Sequence, residues 1–399
     1  MKLYLQFGYG MMGHCRHLIE NWGSGTVILS PRDMEKNQMN SFVTSLMEIN
    51  GSVIFDPQFY LPQANHSRLI KHEYWPDDYS TALFNRVEIR RMLEILRDQY
   101  NTPFDTPFFI LPGKRSSEIN DDWYNFYSLI IEVAREMNIH NSVYLTLCLS
   151  QEAMRSEDAI HNLLEYLDTW DVDGCYVVPE PSNNSYLVND PIWIVNLMDL
   201  TAGIKLQGKK VVVGYSNHQM LSLGLSKVDA IASGTWLNVR SFNISRFNNP
   251  NGEIARKSTW YYCPQALSEY QIPFLDIAQR LGILQDLASA AVFNSNYSNI
   301  LFAGAQPSSV NFGEKDAFRH YLQCLKIQAE DSVRDTYLET KEHIQLRLNT
   351  SEQLTNYFNS SGIRGKNRDF SDYIDTNLAA IDVFHRLRGM VLNHRWPVI

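Results

Sequence analysis

Asp56 ends the apolar run Ser52-Val53-Ile54-Phe55, where an ionised carboxylate is costly unless a partner or a reaction requires it. A carboxyl in that position can accept a proton from water or stabilise a sugar cation while a glycosidic bond breaks. Glu180 stands between Pro179 and Pro181, a rigid setting that suits a second acid or base and equally suits a helix cap. Asp33 closes Pro31-Arg32-Asp33, so a local ion pair with Arg32 competes with a catalytic role. His14 and His17 have the spacing of metal ligands on one helical turn, but no third ligand accompanies them, and a helix face accounts for them as well. Gly8-Tyr9-Gly10-Met11-Met12-Gly13 spells G-x-G-x-x-G, the pattern of a dinucleotide loop. The following strand ends in Leu29-Ser30-Pro31, without the carboxylate a ribose would need, so the glycines are read as a tight turn. Neither a cofactor nor a metal is expected.

These side chains need elements to hold them. Eight short apolar runs recur over residues 1–245: Leu3–Phe7, Thr26–Leu29, Ser52–Phe55, Phe108–Leu111, Ser142–Leu147, Gly174–Val178, Lys210–Val213 and Ala230–Ser233. Several are continuously apolar, as parallel strands covered on both faces must be. Amphipathic stretches fill the gaps, among them Glu35–Asn50, Arg86–Gln99, Asp122–Met137, Ser156–Trp170 and Ile192–Leu206. The alternation predicts an α/β fold, a (β/α)8 TIM-type barrel, with an open doubly wound sheet as the alternative. In such a barrel the residue just past each strand faces the pocket. That rule groups Tyr9, Arg32, Gln58, Tyr60, Tyr215, Asn217, Trp236 and Asn238 as base- or sugar-binding candidates around Asp56, Glu180 and Asp33.

Beyond the barrel the pattern changes. Residues 246–263 read as a polar loop, and 264–399 as a helical C-terminal region with helices at Phe274–Leu287, Lys315–Leu346, Ser351–Phe358 and Tyr373–Arg388. The formal net charge is −9, so nucleic acid would have to be met by a local cationic face. Candidates for that face are Lys114 and Arg115 after the fourth strand, then Arg240, Arg246, Arg256 and Lys257 after the eighth. Arg364, Lys366 and Arg368 lie between the last two helices. The five cysteines are scattered, with no C-x-x-C pair, which speaks against a zinc knuckle and for reduced thiols in a cytoplasmic protein. No apolar run approaches the ~18 residues of a membrane span, and no signal peptide is expected.

Val211–Asn238 resembles the tRNA-guanine transglycosylase superfamily. The matching segments are Val212-Val213-Gly214 and Lys227-Val228-Asp229-Ala230-Ile231-Ala232, preceded by Val172-Asp173-Gly174-Cys175-Tyr176-Val177. Phe55-Asp56-Pro57-Gln58-Phe59 is similar to the family's Thr-Asp-Ser-Gly-Gly-Phe-Gln. The opening Gly-Tyr-Gly-Met-Met-Gly-His-Cys, with Leu-Ser-Pro-Arg-Asp and Asp-Pro-Gln-Phe-Tyr, is closer to the DNA-acting branch and to phage-defence base-processing proteins. The resemblance covers roughly residues 1–245. It departs where the family carries its covalent nucleophile, since that position is Ala232, and its Cys-x-Cys-x-x-Cys zinc site is absent. What the resemblance implies is N-glycosidic chemistry on a flipped base. Without the nucleophile, hydrolysis through Asp56 is expected over exchange. The implied enzyme is a DNA glycosylase removing a modified base, such as a glycosylated cytosine of phage DNA, and leaving an abasic site. Alternatives are a transglycosylase inserting a 7-deazaguanine into DNA, a barrel hydrolase of a free nucleoside or glycoside using Asp56 and Glu180, and a non-catalytic nucleic-acid-binding barrel.

Overall fold

The apolar runs become eight parallel strands: β1 (Lys2–Gln6), β2 (Gly25–Leu29), β3 (Gly51–Phe55), β4 (Phe108–Leu111), β5 (Ser142–Leu149), β6 (Gly174–Pro179), β7 (Lys210–Val213) and β8 (Ala230–Ser233). The computed structural model describes residues 1–76, 85–139, 141–248 and 258–399. Their order is β3-β2-β1-β8-β7-β6-β5-β4, so the first and last strands in sequence pair in the middle, with Tyr4 opposite Ala232. The two ends, β3 and β4, lie side by side and nearly close the ring. At its top that seam is tied by the Arg115 amide donating to the Tyr60 carbonyl at 2.9 Å. The molecule is therefore an α/β, TIM-type barrel with C-terminal helices.

Helices between the strands present one apolar stripe to the sheet. In α1 (Met12–Trp22), Cys15, Leu18 and Ile19 are buried. In α2 (Lys36–Met47) the stripe is Met39, Phe42, Val43 and Leu46, and a Glu35/Gln38 capping box sets its start. The others are α3 (Arg86–Leu96), α4 (Asp121–Glu136), α5 (Gln151–Arg155), α6 (Glu157–Thr169) and α7 (Pro191–Leu206). α7 differs in being buried on nearly every side. Its outer face is covered by α11 (Ile374–Arg395), where Arg388 grips Asp199 of α7 through Nε at 2.6 Å and Nη2 at 3.2 Å.

The C-terminal region is not wholly helical. An antiparallel hairpin of β9 (Trp260–Cys263) and β10 (Ser268–Gln271) precedes α8 (Ile272–Arg280), built from aromatic residues that favour a pleated surface. The helix expected over Lys315–Leu346 is two, α9 (Glu314–Glu330) and α10 (Tyr337–Ser360), and α10 also absorbs Ser351–Phe358. The break carries its own cap: Thr336 accepts from the Glu339 amide while Glu339 reaches back to Thr336. Leu322, Leu325, Tyr337, Phe384 and Trp396 join the barrel's own core. A smaller core, including Tyr261, Tyr270, Leu275 and Phe358, sits under the hairpin. Among the described residues no helix is long and apolar enough to cross a membrane. The five cysteines are all buried and unpaired.

Candidate active site

The chain leaves β3 at Asp56-Pro57, and Pro57 stops the ladder there. Asp56 is fully buried. Its Oδ1 accepts from the Gln58 amide at 2.9 Å, and its Oδ2 accepts from the Tyr60 hydroxyl at 2.7 Å. The Tyr176 hydroxyl, reaching inward from β6, lies 3.4 Å from the same Oδ2 and 3.1 Å from Gln6 Oε1. All these donors are neutral. Burial pushes the Asp56 carboxyl up to about 7, against a smaller downward pull from Tyr60, Gln58 and Tyr176. Tyr176 has room because residue 214 is glycine: a Cβ there would stand 2.5 Å from the hydroxyl. Gln6 Nε2 is buried and has no protein partner among the described residues.

A second layer fixes this centre. Gln58 donates to the Tyr215 hydroxyl at 3.1 Å and accepts from Ser30 Oγ and the Arg32 amide. Gln58 and Tyr215 both have φ of +51°, a left-handed conformation costly for residues with a side chain. Above Tyr60 lie Phe242 and Phe247, edge-on with ring centroids 5.2 and 5.0 Å away. This aromatic cover comes from the segment after β8.

The other expected residues divide among different tasks. Asp33 is held by Arg32 at 2.7 Å and by Ser30 Oγ at 2.9 Å, the local ion pair anticipated beside the catalytic reading. Glu180 is buried and held by Arg115 Nη2 at 2.6 Å, with the Gln151 amide at 3.3 Å. Asn217 is committed to backbone ties, accepting from the Gln219 amide and donating to the Tyr186 and Arg240 carbonyls, which leaves its amide little for a ligand. Tyr9, Trp236 and Asn238 do not surround Asp56; they line a separate cavity of about 720 Å³ between the barrel mouth and the hairpin.

The cations are similarly dispersed. Arg240 is buried rather than rim-forming, with Nη1 3.3 Å from Glu269 Oε2 and its guanidinium 3.5 Å from the Tyr321 ring centroid. Arg368 shares that oxygen at 2.8 Å. Lys114 lies over the Phe126 ring, Arg246 donates to the Asn238 carbonyl, and Lys366 donates to Gln271. Arg364 is exposed. Arg256 and Lys257 lie outside the described residues. His17 meets the Tyr297 hydroxyl, and His14 packs edge-on to Phe318. Among the described residues no three His, Cys, Asp or Glu side chains are grouped to hold a metal ion.

Sequence reasoning missed Gln6, Tyr176 and Glu269. Gln6 and Tyr176 read as strand interior, and only barrel closure aims them at Asp56. Burial pushes the Glu269 carboxyl up, but Arg368 and Arg240 outweigh it and hold it at about 2. Those partners are 99 and 29 residues away in the chain, beyond any local pattern.

The fold and the site thus define an α/β barrel with a buried carboxyl, held by neutral donors, where a strand ends. No protein-family model matches the chain, and no curated protein matches it. Among solved structures, the crystal structure of a glucosidase from Croceicoccus marinus superposes with a TM-score of 0.34 at 10% identity, covering 55% of this chain and 56% of that one. The chain therefore spans little more than half the length of that structure, and a likeness of this size says nothing of activity.

Proposed function

We propose that the chain is an enzyme that breaks N-glycosidic bonds, a DNA glycosylase releasing a modified base, with Asp56 as its acid/base carboxyl. The observation that carries the reading is Asp56 itself: fully buried at a barrel strand end, bound among the described residues by neutral donors, and pushed up to about 7. Near neutrality such a group is present in both forms and can give or take a proton. Water attacks the anomeric carbon and passes its proton to Asp56, while the base leaves with the bonding electron pair and is protonated from solvent. Gln6 Nε2, without a partner among the described residues, supplies a further donor inside the site. Asp56 has no exposure, so substrate entry requires packed side chains around it to move, among them Phe242 and Phe247 on Tyr60.

A carboxylate pair acting on a free glycoside is less well supported, because Glu180 is occupied by Arg115. Exchange through a covalent sugar is likewise less well supported, because residue 232 on β8 is alanine. The test is incubation with DNAs carrying different modified bases, followed by mass spectrometry of what is released. One DNA should yield free base and abasic sites, and Asp56→Asn should abolish the yield. Release that persists in the variant, or no release from any DNA, would sink the reading.

A further inference from the structure

The 720 Å³ cavity lies within the roughly 300–1,000 Å³ typical of small-ligand sites, and the Asp56 chemistry does not use it. One wall is aromatic. Trp236 is anchored by its Nε1 donating to the Tyr9 carbonyl at 3.2 Å and by Phe318 edge-on at 4.6 Å. Tyr9 lies beside it with 68% of its surface exposed. The amides of Asn238, Gln271 and Asn367 also line the cavity and offer both donors and acceptors. Arg240, Glu269 and Arg368 also line the cavity, two guanidinium groups sharing one carboxylate. Glu314 is in the lining too, so the formal charges there cancel and the cavity asks no net charge of a ligand. Thr235 also lines the cavity; it is buried, and its hydroxyl has no protein partner among the described residues.

We propose that this cavity is a second binding site, separate from Asp56, for an unpaired nucleobase. Such a ring is flat enough to stack on Trp236 and Tyr9 and carries a polar edge for the amides and the Thr235 hydroxyl. The proposal deepens the glycosylase reading, on which it rests only for where the base comes from: a base in the bound strand, or a free nucleoside. Shared ring chemistry serves both sources.

Isothermal titration of the whole protein with each common nucleoside, with methyl glucoside as a control, tests it. At least one nucleoside should bind, and methyl glucoside should not. Trp236→Leu should weaken binding about 5- to 100-fold through loss of stacking. Thr235→Val keeps the side chain's shape and removes a buried hydroxyl without a partner among the described residues, so melting should not fall while nucleoside affinity drops about 3- to 10-fold; this variant decides the matter should Trp236→Leu fold poorly. Tighter capture of a short single-stranded oligonucleotide than of the nucleoside assigns the base to a strand, and the reverse assigns it to free nucleoside. Asp56→Asn should bind nucleosides normally, and wild-type protein that binds them yet releases no base from any DNA would defeat the glycosylase reading alone. No nucleoside binding at millimolar concentration, equal binding of methyl glucoside, or affinity unmoved by both cavity variants would overturn the proposal.

Discussion

Tyr60 touches Asp56 with its side chain and closes the barrel with its main chain: its hydroxyl donates to Oδ2 at 2.7 Å, while its carbonyl accepts the Arg115 amide at 2.9 Å. The side-chain bond favours the ionised carboxyl, whereas the main-chain bond is indifferent to residue type. Tyr60→Phe therefore keeps the seam and removes the hydroxyl. The Asp56 value should rise further, on the order of one pH unit for the removal of one hydrogen bond. The limb of the pH–rate profile that reports Asp56 should move up accordingly. A profile unchanged in Tyr60→Phe would show that this hydroxyl does not position the reacting carboxyl.

Asp56→Asn should reduce base release about 10²- to 10⁴-fold and also change how stability depends on pH. In the folded chain the carboxyl titrates at about 7, above its ordinary 3.8. The unfolded chain thus releases this proton first, and ionisation favours unfolding from about pH 4 until the folded group ionises too. Asp56→Asn removes that loss. The variant's stability relative to wild type should grow from pH 4 to 7 by an amount on the order of 4 kcal/mol, then level off. Urea unfolding at several pH values measures it; parallel curves would contradict the buried-carboxyl assignment.

Glu269 should behave oppositely. Held at about 2 in the folded chain against an ordinary 4.5, it stabilises fully above about pH 4.5 and ceases to as pH falls toward 2. Glu269→Gln should flatten acid unfolding in that window. Glu269→Ala should cost about 3–5 kcal/mol, since two guanidinium groups lose their partner in a buried setting. A Glu269→Ala melting curve close to wild type would show that the cluster is more hydrated than its burial indicates.

Legibility from sequence follows the range of the interactions. All eight strands are readable because continuous apolar runs declare parallel strands locally. Asp56 is readable because a carboxylate interrupting such a run is conspicuous. The hairpin Trp260–Gln271 is hidden by the helical period of the segments around it, although Trp260-Tyr261-Tyr262-Cys263 is strongly β-favouring. The break between α9 and α10 is also written locally, in the Thr336/Glu339 box. The Arg240–Glu269–Arg368 cluster is not written locally at all. Its two arginines look, from sequence, like cations of an outer rim, because nothing near them in the chain announces Glu269.

The remaining cations give a prediction about DNA. Arg364 and Lys366 are exposed, whereas Arg368 is held by Glu269. Replacing only Arg364 and Lys366 with alanine should weaken binding to all DNAs alike. It should also flatten the dependence of log affinity on log salt by about 0.9 for each duplex phosphate no longer neutralised. Base preference should stay the same, because phosphate contacts carry no sequence. Gel-shift titrations across salt concentrations are the measurement, and a wild-type slope would remove this segment from the proposed DNA contact.

The grip of Arg388 on Asp199 also sets a timetable for synthesis. The two residues are 189 positions apart, so at roughly 5–20 residues per second a ribosome makes the second on the order of 10–40 s after the first. Throughout that interval α7 has no α11 to cover it. The nascent barrel must carry a bare apolar helix for far longer than the microseconds in which chains collapse, which makes its outer face the natural place for a chaperone to hold the growing chain.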